Sequence, residues 1–190
     1  MARVNAVPAL DAAGFAVHAD PRRLPFPEPM MQEITPSWMD ADLMTFRETV
    51  SRFVEQEMLP NDARWRAQHH VDKSMWRRVG EMGLLCLDIP AEYGGGGGDF
   101  RHECILYEEL ARRALSGFGQ GVHSICAHYV LNHGDEAQKR RWLPRLARGE
   151  LIGAIAMTEP GAGSDLQGIR TRAVRDGDHY VVNGSKIFIT

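Results

Sequence analysis

The segment Met157–Leu166, with the sequence MTEPGAGSDL, limits the possible folds of this chain more than any other stretch. Pro160 breaks a helix, and Gly161 and Gly163 allow a sharp turn whose backbone can approach a ligand without Cβ interference. Successive N–H groups in such a turn, with the Ser164 hydroxyl, suit anionic or carbonyl oxygens. Local physics leaves two interpretations open, a binding loop and a structural glycine-rich turn.

The residues around this loop predict β-structure. Apolar or alternating runs typical of short strands occupy Leu151–Met157, Thr171–Arg175, His179–Val182 and Ser185–Thr190. Asp176-Gly177 and Asn183-Gly184 are turn signals between them. The loop should therefore sit on sheet and open no helix. This excludes a Walker loop and the dinucleotide-binding fingerprint, which both lead into a helix.

Two motifs in this region resemble one known family. GAIAMTEPGAGSDLQGIRT (Gly153–Thr171), followed by NGSKIFIT (Asn183–Thr190), is similar to the flavin-site signature of the acyl-CoA dehydrogenases. The longer motif is most similar to the long-chain acyl-CoA dehydrogenase branch. The motifs stand in the family's order with its customary gap, so the resemblance is specific. It covers roughly residues 37–190 but only the N-terminal part of a family member.

The resemblance implies an α+β chain. An all-α N-terminal helical domain would occupy residues 35–150, and residues 151–190 would form the first strands of a β-barrel-like middle domain. The C-terminal helical bundle of the family is absent from this sequence. Proline density predicts that residues 1–34 are a disordered arm, with prolines at Pro8, Pro21, Pro25, Pro27 and Pro29.

Apolar residues at helical spacing predict the first two helices. The first stripe comprises Leu43, Phe46, Val50, Phe53, Val54 and Met58. Pro60 should end this helix. A second helix should follow the N-cap Asp72, turn Trp76 and Val79 inward and stop at Gly83.

A third helix is expected over residues 99–114. Its inward positions would be Tyr107, Leu110 and Ala111, whereas Glu108 and Glu109 should lie on a solvated face. Adjacent carboxylates cannot share one helical face, so they make a poor acid/base pair.

Glycine and helix-capping patterns predict where turns and helices lie in the rest of the helical domain. The five consecutive glycines Gly94–Gly98 fit a phosphate cradle or, preferably, a flexible turn before a helix. Residues 116–132 combine small and apolar residues. Asp135 and Gln138 have the spacing of a capping box, which predicts a helix as far as Gly149.

Composition bounds the class of protein. The chain has 190 residues, 44% hydrophobic and 25% charged, with a net charge of −3, which favours a globular protein without general affinity for nucleic acid or membranes. Its three cysteines lack a C-x-x-C spacing, which indicates reduced thiols and a cytoplasmic protein. A mitochondrial presequence is the alternative. His123, His128 and His133 are five residues apart and cannot face one metal ion.

The resemblance also implies site residues and a cofactor, FAD. Met157 and Thr158 would contact the pyrimidine edge of the flavin, where negative charge accumulates on reduction. Gly163 and Ser164 would hold the ribityl-pyrophosphate side, and Ser164 would also contact the CoA part of the substrate. No metal is implied.

The second motif would complete the flavin contact. Phe188 stands where the family often has an aromatic residue, commonly Trp, that packs on the isoalloxazine; a Phe keeps the stacking face and loses the indole donor. Ile189 and Thr190 would follow it, with Thr190 near the hydride-accepting nitrogen. The helix of residues 122–129 would border the acyl-chain pocket.

The implied reaction is α,β-dehydrogenation of an acyl-CoA thioester, after which the electrons pass to an electron-transfer flavoprotein. The resemblance also implies that the complete family member is a homo-oligomer. The family's catalytic glutamate follows the β-domain, so no catalytic residue is assigned here, and Glu159 matches a structural glutamate. We therefore expect the 190-residue chain to bind FAD weakly and to be inactive. A non-catalytic binding module and an acyl-CoA oxidase-type relative are the alternatives.

Overall fold

The computed structural model describes residues 35–189. Residues 40–189 belong to one compact unit, and residues 35–39 belong to another, in which the Met39 N–H donates to Pro36 O at 3.0 Å. The predicted arm of residues 1–34 and Thr190 lie outside the described residues.

The larger unit has the expected α+β order, helices first and a hairpin last. Its helices are α1 (Ala41–Phe53), α2 (Asp62–Gln68), α3 (Lys73–Glu81), α4 (Phe100–Arg112), α5 (Gln120–His133) and α6 (Glu136–Ala147), and its strands are β1 (Arg172–Asp176) and β2 (His179–Asn183). Within residues 35–189, no helix is both long and apolar enough to span a membrane.

The first helical stripe is confirmed, but its predicted end is wrong. Asp40 caps α1 by accepting the Leu43 N–H at 2.9 Å, and Val50 and Phe53 are buried. Beyond Phe53 the chain continues through a π-turn and a 3-10 turn into α2, a helix that the sequence did not predict. Pro60 is tolerated because it lies at the start of a new turn, where its missing N–H is not needed.

The second predicted helix is confirmed as α3, with Trp76 and Val79 buried and Gly83 following at a φ of +68°. Asp72 precedes it but makes no side-chain cap. Its carboxylate instead accepts hydrogen bonds from α2, from Trp65 Nε1 at 3.1 Å and Gln68 Nε2 at 2.9 Å. The same residue therefore ties α2 to the start of α3.

The glycine run is ordered, contrary to the prediction of a flexible turn. The N–H groups of Gly96, Gly97 and Gly98 donate to carbonyls within residues 86–89 at 2.9–3.0 Å. A Cβ on Gly95 would lie 2.2 Å from Ile89 O, so the two backbones are in direct contact there. The glycines thus serve close backbone packing.

The helix predicted over residues 99–114 is α4, with Asp99 as its N-cap, but two side chains were placed wrongly. Ala111 is exposed, and Glu109 is buried. Glu109 is drawn inward because Arg113 Nη1 lies 2.6 Å from its carboxylate and Arg47 of α1 lies 3.5 Å away. The Arg47–Glu109 ion pair joins α1 to α4.

Helices α5 and α6 pack on the connector between α3 and α4 to form the core. One buried cluster of this core comprises Cys86, Ile89, Tyr93, Ala127, Leu143, Leu146 and Ala147. The predicted capping box at the start of α6 is confirmed, since Asp135 and Gln138 exchange side-chain and backbone hydrogen bonds at 2.8 and 2.9 Å.

The predicted hairpin is confirmed, and the two flanking strands are not. β1 and β2 pair antiparallel, with Asp176 opposite His179 and Gly177 at a φ of +64° in the turn. Residues 151–157 and 185–189 form no strand, since the Gly153 N–H donates to the His123 side chain and the Ile187 N–H donates to Thr158 O outside any ladder. Asn183-Gly184 consequently ends β2 without making a second hairpin.

Candidate functional site

The loop after Met157 is closed on itself. The Glu159 N–H donates to Ala162 O at 2.9 Å, and the Ala162 N–H returns a bond to Glu159 O at 3.1 Å. Pro160 and Gly161 form the turn between them. A Cβ on Gly161 or on Gly163 would meet no atom within 4 Å, so the backbone there faces open space. The loop can therefore receive an external group at close range.

The side chain of Glu159 anchors this loop to the neighbouring segments. Its buried carboxylate accepts the N–H groups of Arg170 at 2.7 Å and Thr171 at 3.0 Å, the Thr171 hydroxyl, and Lys186 Nζ at 2.9 Å. The bonds from Thr171, Arg170 and Lys186 lower the pKa of Glu159 to about 2. A carboxylate saturated in this way is structural, as the sequence indicated, and is no general base.

The two sequence motifs meet beside the loop. The Ile187 N–H donates to Thr158 O at 3.0 Å, and Lys186 Nζ donates to Met157 O at 3.0 Å. Residues 186–187 therefore lie alongside residues 157–158. This contact brings the two sequence motifs together in the fold.

A cavity of about 600 Å³ lies between α4 and α5. Its apolar wall contains Phe100, Tyr107, Ile125 and Tyr129. At its polar end, His128 Nε2 lies 3.2 Å from Asp88 Oδ2. The exposed fractions of Phe100, Ile125 and Tyr129 are 65%, 49% and 54%, so this apolar surface is unusually open.

Comparison with known families identifies the chain. The family model described as "Acyl-CoA dehydrogenase, N-terminal domain" matches residues 40–150, and "Acyl-CoA dehydrogenase, middle domain" matches residues 154–190. This chain belongs to the acyl-CoA dehydrogenase family. The long-chain specific acyl-CoA dehydrogenase of Sus scrofa mitochondria is 45% identical over 146 residues, which are 76% of this chain and 34% of that protein.

Solved acyl-CoA dehydrogenases share the fold. The enzyme from Geobacillus kaustophilus superposes with a TM-score of 0.76 at 42% identity, over 80% of this chain and 40% of that one. An acyl-CoA dehydrogenase from Bacillus anthracis, solved in complex with FAD, gives a TM-score of 0.72 at 35% identity, over 80% of this chain and 27% of that one. The chain thus spans well under half the length of these relatives.

The structure brings part of the predicted acyl-CoA dehydrogenase flavin site together. Met157 and Thr158 are bonded to the second motif, and within that motif Phe188 and Ile189 have exposed fractions of 89% and 46%. Gly163 and Ser164 lie on the exposed part of the loop, and among the described residues no hydrogen bond links them to residues 186–189.

Sequence reasoning missed two residues of this site. Lys186 and Thr171 both stand inside or beside the motifs, yet no spacing pattern assigns them a role. Of the helix expected to line an acyl pocket, Ser124, Ile125 and Tyr129 contact the cavity, whereas Val122 does not line it.

The remaining candidates for chemistry are cysteines and histidines. All three cysteines are free, and burial raises the pKa of the Cys86 thiol to about 12, so it is unreactive at neutral pH. Within the described range 35–189, no cluster of three or more His, Cys, Asp or Glu side chains could hold a metal ion.

Proposed function

We propose that this chain supplies the flavin loop and part of the acyl-chain pocket of an FAD-dependent acyl-CoA dehydrogenase. The observation that carries the proposal is the junction of the two motifs, in which residues 186–187 hold Met157 and Thr158 beside an open glycine loop. The 45% identity to a long-chain acyl-CoA dehydrogenase supports the same function.

The residues present fit FAD. Gly161 and Gly163 leave room for a large planar or phosphorylated group, and backbone N–H groups in the loop supply donors for anionic oxygens. Met157 and Thr158 would hold the pyrimidine edge, Gly163 and Ser164 the pyrophosphate side, and Phe188, Ile189 and Thr190 the ring. Phe188 is free to pack on an isoalloxazine, since 89% of its surface is exposed.

Bound FAD would accept a hydride equivalent from the β-carbon of an acyl-CoA whose α-proton a base removes. The apolar cavity between α4 and α5 would take the acyl chain, because Ile125 and Tyr129 offer an exposed apolar wall. Ser164 would contact the CoA portion. Electrons would then pass to an electron-transfer flavoprotein.

Two buried carboxylates of the described residues, those of Glu159 and Glu103, are unsuited to act as the base. Glu159 is ionised and saturated with donors, and Glu103 is buried behind Leu87 and Gln120, which donate to it at 3.2 and 2.7 Å. We therefore expect the 190-residue chain to bind FAD without dehydrogenating acyl-CoA.

The first test is a titration of the purified chain with FAD, in which binding is measured by the quenching of flavin fluorescence. Gly163→Val should weaken FAD binding by about tenfold or more, because its side chain fills the open space over the loop. Gly117→Val is the matched control, since a Cβ at that exposed glycine also meets no atom within 4 Å. Equal affinities of both variants and the wild type would contradict the proposed site.

Anaerobic addition of palmitoyl-CoA or butyryl-CoA to the FAD-loaded chain tests the reaction itself. Bleaching of the flavin by the chain alone would overturn the expectation of inactivity. Fast reoxidation of reduced flavin by oxygen would favour an oxidase-type relative, and failure to bind FAD would favour the non-catalytic module.

A further inference from the structure

Lys186 connects the two motifs through a single ammonium group. Its Nζ atom lies 3.0 Å from Met157 O and 2.9 Å from Glu159 Oε1. The side chain is 24% exposed and that of Glu159 is 5% exposed, so the contact is largely shielded from water. A lysine with two fixed oxygen partners is held in one orientation.

This contact determines which way one peptide group points. In a trans peptide the carbonyl and the N–H point in opposite directions, and the described residues contain no cis peptide bond. Because Met157 O faces the Lys186 ammonium, the Thr158 N–H faces the opposite side. Among the described residues, no partner accepts a hydrogen bond from this N–H.

The Thr158 carbonyl is fixed as well, since it accepts the Ile187 N–H at 3.0 Å. Both carbonyls that flank the Thr158 N–H are thus turned toward residues 186–187. The free N–H is left as a preorganised donor, and such donors stabilise charge that develops on a bound group.

We propose that Lys186 is a positioning residue for FAD: by holding Met157 O, it presents the Thr158 N–H to the pyrimidine edge of the flavin. This inference rests on the proposed function. Lys186 acts by orientation, because its positive charge is balanced by the Glu159 carboxylate 2.9 Å away.

The test compares Lys186→Met, which keeps the length of the side chain without its donors, with Lys186→Arg, which keeps donors. Lys139→Met is the control, because Lys139 lies on α6 and pairs with Glu136 at 3.6 Å. Each chain is titrated with FAD, and amide hydrogen exchange of Glu159 and Ala162 is measured by NMR without FAD. These two N–H groups close the loop beside the Lys186 contact.

Lys186→Met should bind FAD about tenfold more weakly and exchange the Glu159 and Ala162 amides faster, with an unchanged unfolding midpoint of the helical part. Lys186→Arg should recover most of both properties, and Lys139→Met should change neither. Unchanged exchange and affinity in Lys186→Met would overturn the proposal. If the wild type binds no FAD, the proposed function is contradicted. The amide exchange then tests Lys186 independently, because unchanged exchange of Glu159 and Ala162 in Lys186→Met would contradict its positioning role.

Discussion

His123 Nδ1 accepts the backbone N–H of Gly153 at 3.1 Å. The imidazole is completely buried in α5, and its Nε2 atom lies 3.2 Å from Leu146 O at the end of α6. One neutral histidine, with Nε2 as donor, therefore attaches the segment that leads into the flavin loop to two helices. A Cβ on Gly153 would lie 2.7 Å from Cys126 Cβ, so this attachment is close.

His123→Phe should lower the free energy of unfolding by about 2 kcal/mol, because it keeps the ring volume but leaves the Gly153 N–H and Leu146 O without their partner. Urea denaturation, monitored by circular dichroism, measures the decrease in the free energy of unfolding. The control is His133→Phe on the exposed side of the same helix. Equal stabilities of the two variants would show that the His123 bonds are dispensable.

The same histidine predicts a pH dependence. Burial lowers the pKa of His123 below its ordinary value of 6.5, while the bond to Leu146 O opposes the shift. The unfolded chain therefore takes up a proton on acidification before the folded chain does, so stability is present above pH 6.5 and is lost as the pH falls toward the lowered pKa. The unfolding free energy of the wild type should decrease more steeply below pH 6.5 than that of His123→Phe. Parallel curves for the two proteins would contradict this.

Glu103 predicts the opposite pH dependence of the unfolding free energy. Burial raises its pKa, although the hydrogen bonds from Gln120 and Leu87 lower it. A raised pKa contributes stability below the ordinary value of 4.5 and loses it as the pH rises through the folded pKa.

Glu103→Gln should remove this dependence. Gln120 now faces Glu103 with its Nε2 atom, and its Oε1 atom is buried without a hydrogen-bond partner among the described residues. Rotation of the Gln120 amide by half a turn would let Oε1 accept a hydrogen bond from the new amide, while the Leu87 N–H keeps an oxygen acceptor. We expect the variant to match or exceed the wild type above neutral pH and to fall below it in acid. Thermal unfolding of both proteins between about pH 4 and about pH 8 measures the difference. A constant difference across that range would refute the assignment.

Gly95→Ala should destabilise the helical part by about 2 kcal/mol. The new methyl group would lie 2.2 Å from Ile89 O and 2.6 Å from Ile89 Cβ, and both neighbours are part of the core connector. Gly117→Ala, which meets no atom within 4 Å, should leave stability unchanged or raise it slightly. Chemical denaturation measures the free energy of unfolding of both variants. A Gly95→Ala variant as stable as the wild type would mean that the glycine run tolerates side chains.

The helical pattern was predictable where it depended on local signals. Asp99 and Asp135, both predicted as caps, accept one of the first N–H groups of their helices, a relation set by residues two or three positions apart. The predicted cap Asp72 makes no such bond, and Asp40, which caps α1, was not predicted. The hairpin of β1 and β2 was predictable because the turn signal Asp176-Gly177 lies between two strand-like runs, although the two-residue turn itself is Gly177-Asp178.

The errors arose where distant residues decide. Glu109 pairs with the nearby Arg113 and also with Arg47 of α1, which is sixty-two positions earlier in the chain and becomes its neighbour only in the fold. Residues 151–157 have the composition of a strand, yet no strand partner is present among residues 35–189, and Gly153 bonds to His123 instead. For the site, the motifs indicated the loop but gave no role to Lys186, whose partners become neighbours only in the fold.

The bonds of Glu159 also bear on the order in which the chain folds. Its carboxylate joins residues 11, 12 and 27 positions away, whereas each helix is closed by contacts of four positions or fewer. Closing long loops costs more entropy and slows formation of the contacts that they bring together. We expect the helices to form first and the loop of residues 157–187 to be the last part to order, so a protease added early in refolding should cut there before it cuts the helices.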